Sequence, residues 1–305
     1  MENAMKNHPQ VDMQLMKRRV RTRKAVIFAV YYVCAALLAI LFLFPLVYMI
    51  ATSTKSESSY ASDAGTFAMF APDLKNLSAT LDNYKKVFTD YGIWQYATNS
   101  ISYAAIIIVL NIIVNGLAGY VMAKFDFPGK GFFTFTIFFL IVVPVETSII
   151  PLYTIVKVLL GLKGPMSVLA VILPPSVSIF NIFLFMQFFE GIPKEYEEAA
   201  RIDGAGTLRI FFSMILPLSK PIVATVATFC FIGAWNDYLW PTMVLPLDGK
   251  LYPIQSALES IKAIQGITTG EIMASLVVTS IPIFIVYIVA QKYIVQGFGS
   301  AGLKM

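Results

Sequence analysis

Gly191–Pro221 reads GIPKEYEEAARIDGAGTLRIFFSMILPLSKP, a polar interruption in an otherwise apolar chain. Pro193 suits the first turn of a helix, where its missing N–H has no intrahelical partner to lose. Glu195, Glu197 and Glu198 crowd the start, where the positive end of the helix dipole favours anions. Glu197 and Arg201 stand four apart with the acid first, the favourable order for an i,i+4 ion pair. Gly204 supplies a left-handed stop. The expectation is a helix of about eleven residues, roughly 16 Å long, too short and too charged to cross a bilayer. Tyr196, Ala199, Ala200 and Asp203 share one face of it, and the two alanines let a partner approach closely. On composition alone the stretch is a solvated loop between two membrane helices.

The surrounding chain supports a membrane setting. Of 305 residues, 57% are hydrophobic and 13% charged, where a soluble domain carries about a quarter charged residues. The net charge of +5 does not point to nucleic acid, because the basic residues flank apolar runs, where anionic lipid and topology explain them. Cys34 and Cys230 lie in separate apolar runs and His8 in a polar tail. Nothing in their spacing forms a disulfide framework or a zinc site. Val26–Ala51 is longer than the apolar core of a signal peptide and lacks a convincing cleavage site, so it reads as a retained anchor.

The chain therefore reads as an all-α integral membrane protein with six transmembrane helices. Residues 1–25 form a basic tail, 26–51 the first span, 52–95 an extracytoplasmic loop, 96–292 a five-helix core containing the 191–216 loop, and 293–305 a second tail. Within 52–95, Leu81–Phe88 has the pattern of a short amphipathic helix. The second span, 96–123, places Asn111, Asn115 and Gly119 on one face, with Gly116 beside them, a pattern of helix packing rather than substrate binding. The third, 132–156, is broken by Pro144 and Pro151, and Glu146 sits between them as a candidate for the transport path or for capping a broken helix. The fourth, 166–190, is interrupted at Pro174-Pro175 and carries Asn181, a further candidate for the transport path. The fifth runs from 218 to about 235 and the sixth, with Pro282, from 271 to 291. A short helix is expected between Leu245 and Thr269. This arrangement puts fifteen Lys and Arg inside and eight outside, with both termini cytoplasmic.

Glu198-Ala199-Ala200-Arg201-Ile202-Asp203-Gly204-Ala205-Gly206, followed by Leu216-Pro217-Leu218 and Pro221, resembles the "EAA" signature of bacterial ABC importer permeases. Trp235-Asn236-Asp237-Tyr238-Leu239-Trp240-Pro241 resembles an element of the permeases that import sugars, and Gln291–Gly297 with Ala301–Lys304 resembles the C-terminus of the maltose-type second permease subunit. The likeness runs from about Leu81 to the end. It implies the type I importer permease fold, with the EAA segment as a coupling helix docked on a cytoplasmic ABC ATPase dimer. It further implies a second homologous permease subunit and an extracytoplasmic solute-binding protein. ATP and magnesium belong to the ATPase, and no cofactor is expected on this chain, which has no G-x-x-x-x-G-K-[ST] loop to hold nucleotide.

Two questions stay open at this level. Trp94, Trp235 and Trp240 fall near the outer interface, where they form either an aromatic belt or, for Trp235 with Asn236 and Asp237, part of a sugar path. The rivals to a carbohydrate importer are an ion-coupled secondary carrier, for which Glu146 and the broken spans are loose support, and an ABC permease for another solute such as a glycerophosphate.

Overall fold

The computed structural model describes the backbone of residues 8–302 and side-chain surroundings over residues 23–292. Every regular element among the described residues is helical. Arg23–Ser53, Ile93–Lys124 and Thr269–Lys292 are each long and apolar enough to cross a bilayer. The other candidate spans are bent pairs: Lys130–Val142 with Val145–Leu159 at 98°, Gly164–Ser176 with Ile179–Glu190 at 43°, and Thr207–Leu218 with Lys220–Asn236 at 84°. Counting each pair once gives up to six candidate spans among the described residues.

Proline chemistry sets the breaks. A residue before proline is pushed out of the α region, and Val143, before Pro144, is extended at ψ 122°. Pro174 and Pro175 end the first half of the fourth span, and extended Val177 and Ser178 follow. The fifth span turns at Ser219, ahead of Lys220-Pro221. The third span departs most from a single crossing. Its first half, 13 residues, is about 20 Å long and does not cover a hydrocarbon core of about 30 Å.

The helix of the first span begins at His8 and runs unbroken to Ser53, so the basic stretch and the apolar run are one rod. Its apolar side chains from Val26 to Phe44 are exposed on every side, and it packs against the last span. The last helix continues to Gly302. Met1–Asn7, Leu303–Met305 and the side chains of the 293–305 tail lie outside the described residues.

The second span is the central post, packed against the fourth and fifth. Gly119 makes this possible: a Cβ built there falls 2.7 Å from Phe185 Cβ and 2.9 Å from the Met186 backbone nitrogen. The main core gathers Tyr103, Ile107, Phe185, Phe189, Phe211 and Val226 along this post. A second cluster of Val87, Ile93, Trp235, Ile254 and Ala274 joins the two segments outside the bundle, Leu77–Thr89 and Ile254–Lys262, to the fifth and sixth spans.

The 52–95 segment is more ordered than a polar loop. Lys55 is fully buried, pairs with Asp63 at 2.6 Å and donates to the Ala68 carbonyl at 2.7 Å. Asn83 donates to the carbonyls of Ser53 and Lys55. Gly270, whose Cβ would fall 2.4 Å from the Lys55 carbonyl oxygen, lets the start of the last span press against this cap.

Candidate functional site

The polar helix spans Glu195–Ile202, eight residues rather than eleven, with Pro193 outside it. Gly204 stops it at φ +78°, and the Ala205 N–H reaches back to the Ala200 carbonyl. Its faces differ from the helical-wheel expectation. Ala200 is buried against the protein's own core, as is Glu197. Tyr196, Glu198, Ala199, Arg201, Ile202 and Asp203 are exposed, with Gly204 and Gly206 beyond them and Ala205 half-buried.

The expected Glu197–Arg201 pair does not form. Glu197 instead accepts a 2.8 Å hydrogen bond from the Tyr120 hydroxyl and lies 3.6 Å from Lys124 Nζ, while the Arg201 guanidinium sits over the Phe125 ring at 5.9 Å. Burial explains the exchange, because a carboxylate drawn inward needs a buried cation and a donor, and the end of the second span supplies both. Sequence reading missed this contact; Tyr120 and Lys124, four apart at the end of a span, were its signal.

The candidate path residues do not form one constellation. Glu146 is exposed in the 3-10 turn Val145–Ser148 after Pro144. Asn181 is buried and donates to Asn111 Oδ1 at 3.0 Å, with Cys230 Sγ at 3.6 Å. Trp235 is 0% exposed, stacks on Phe231 and donates its indole N–H to the Thr279 carbonyl at 3.1 Å. It is a core residue here. Trp240 is also buried, donating to the Ala170 carbonyl, whereas Trp94 is exposed. Asn236 is exposed. Asp237 accepts from the Trp240 N–H and lines a small cleft of about 60 Å³ with Tyr103, Ile107, Val171, Pro241 and Pro253. Burial pushes the Asp237 carboxyl above its ordinary value.

The asparagine face of the second span packs helices together, as its pattern predicts. Asn111 and Asn115 donate to the carbonyls of Pro175 and Ser176, and Asn115 accepts from the Ser178 N–H. These bonds satisfy backbone groups freed by the break in the fourth span.

Residues 115–300 match the family model described as "Binding-protein-dependent transport system inner membrane component". The chain belongs to this family of ABC importer permeases. It is 32% identical over 270 residues to the arabinooligosaccharides transport system permease protein AraQ of Halalkalibacterium halodurans, covering 88% of this chain and 94% of that one. Identity to AraQ of Bacillus subtilis is 28% over 282 residues, 91% and 97% of the two chains. Identity to the sn-glycerol-3-phosphate transport system permease protein UgpE of Yersinia pestis is 36% over 201 residues, 65% and 70% of the two chains. A crystal structure of a bacterial ABC transporter involved in the import of the acidic polysaccharide alginate superposes with a TM-score of 0.73 at 26% identity, covering 89% of this chain and 98% of that one. Membership makes the chain a multi-pass inner-membrane transport component that is not itself catalytic, and it sets aside the ion-coupled carrier.

Proposed function

We propose that this permease carries a carbohydrate across the cytoplasmic membrane by alternating access. In this reading both termini are cytoplasmic, Glu195–Ile202 docks on an ABC ATPase dimer, a second homologous permease completes the path, and a solute-binding protein delivers cargo at the outer end. The observation that carries the coupling role is the outward face of Glu195–Ile202. Ile202 is 87% exposed beside exposed Tyr196 and Ala199, an apolar surface on a short polar helix that a partner can cover. Closure of the ATPases moves this helix and, with it, the attached fourth and fifth spans.

For the substrate, the support is likeness to the AraQ proteins over nearly their whole length. A glycerophosphate is the second reading, favoured by 36% identity to UgpE. The sugar is preferred on coverage: the AraQ likeness spans 88% of this chain and the UgpE likeness 65%.

The test is uptake into vesicles holding the assembled transporter, its ATPase and its binding protein. Labelled arabino-oligosaccharide is expected to accumulate only with ATP. Faster uptake of glycerol 3-phosphate reverses the substrate assignment, and uptake without ATPase overturns the whole reading.

A further inference from the structure

We propose that Tyr120, Lys124 and Glu197 form the joint that passes motion of the polar helix to the second span, making Glu197 and Lys124 positioning residues for transport. The proposal rests on the docking role given above to Glu195–Ile202. Three contacts leave one turn of the second span. Lys124 Nζ donates to the Ile192 carbonyl, ahead of Pro193, and faces Glu197 Oε1 at 3.6 Å; Tyr120 Oη donates to Glu197 Oε2 at 2.8 Å. The span thus grips the coupling segment on both sides of Pro193. The grip is dry: the Lys124 side chain is 3% exposed and that of Glu197 is 9% exposed. Glu197 Oε1 is buried without a hydrogen bond, so the Lys124 charge is what compensates it.

Chemistry favours a positional role. A buried ion pair adds little net stability, because desolvation offsets the attraction, yet separating the two charges is costly. Such a pair fixes a distance between two elements. The second element is stiff: the Tyr120 ring is clamped by Phe125, Phe189 and Phe211, and the adjacent Gly119 sets the span against the backbone of the fourth. A push on Glu195–Ile202 therefore reaches the central post of the bundle directly, as well as through the fourth and fifth spans at either end of the segment.

The test uses the assembled transporter in vesicles and reads ATP hydrolysed per solute moved, together with cross-linking of Ala199→Cys to the ATPase in a background lacking Cys34 and Cys230. The double variant Lys124→Met with Glu197→Leu removes both charges and keeps apolar bulk. It is expected to retain the cross-link while ATP used per solute rises roughly tenfold, in the range of changes along a transmission network. Lys124→Arg keeps the charge and is expected to stay near the parent ratio. Tyr120→Phe removes only the hydroxyl and is expected to raise the ratio roughly threefold, so it decides the matter even where the double variant does not assemble. A parent-like ratio in Tyr120→Phe, or in an assembled double variant, overturns the joint. Absence of the Ala199→Cys cross-link in the parent overturns the docking role instead.

Discussion

Asn115 accepts a hydrogen bond from the Ser178 backbone N–H at 3.0 Å, across the break that bends the fourth span by 43°. Its own amide donates to the Ser176 carbonyl at 3.1 Å and to the Asn111 carbonyl at 3.0 Å. In lipid, freed backbone groups have no water to turn to, so one side chain on the central span makes the broken one tenable. Asn115→Leu is expected to destabilise the fold by roughly 1–3 kcal/mol for each backbone group left unpaired. Thermal unfolding in detergent checks this; a parent-like melting temperature contradicts the assignment.

Close approach of the second and fourth spans depends on the missing Cβ of Gly119. Added carbon meets backbone at Met186 and Ile182 as well as Phe185, and backbone cannot swing aside. Gly119→Leu is expected to reduce the folded yield severely, overpacking costing about 1–3 kcal/mol or more. Gly131→Leu, at a site with nothing within 4 Å, is the control and is expected to express normally. Equal yields of the two variants contradict the packing.

Trp235 is expected to act on stability first. Its ring is fully enclosed and its N–H is bonded to the sixth span. Trp235→Ala is expected to cost about 3–5 kcal/mol, with uptake falling in parallel with the amount of folded permease. Loss of uptake at undiminished folded amount contradicts this and returns the residue to the solute path.

At the other end of the bundle Glu271 accepts from Lys86 Nζ at 2.6 Å and from the Tyr91 hydroxyl. Burial and then Glu271 hold the Tyr91 hydroxyl well above its ordinary value of 10.0, and the bond to Glu271 raises Lys86 from 10.5. A raised folded-state value means the folded protein holds its proton longer. This stability is therefore complete below about pH 10 and is lost as pH rises beyond it. Lys86 is half exposed and contributes little. Melting temperature is expected to fall as pH rises above about 10, more steeply in the parent than in Tyr91→Phe. Identical profiles contradict the role of Tyr91.

What the sequence disclosed follows from how local each signal is. Apolar runs mark the spans, Pro144, Pro174 and Pro175 mark where they break, and Gly204 marks the end of the polar helix, because each acts on its own backbone. Which way that helix faces was not legible. The i,i+4 rule pairs Glu197 with Arg201, but the fold offers Lys124, 73 positions earlier, and only tertiary packing shows it. Trp235 misleads for the same reason: its position near an interface is visible in sequence, while its acceptor on Thr279 is not. The 52–95 cap was hidden because Lys55 and Asn83 bond to backbone carbonyls, which carry no residue signature.

The docking role of Glu195–Ile202 is tested most directly by cysteine cross-linking at Ile202, an 87% exposed position at the end of that helix. In the assembled transporter, Ile202→Cys is expected to cross-link to the ATPase subunit and to be shielded from membrane-impermeant reagents added outside intact cells. Labelling of Ile202→Cys from outside, with no ATPase adduct, would contradict the account.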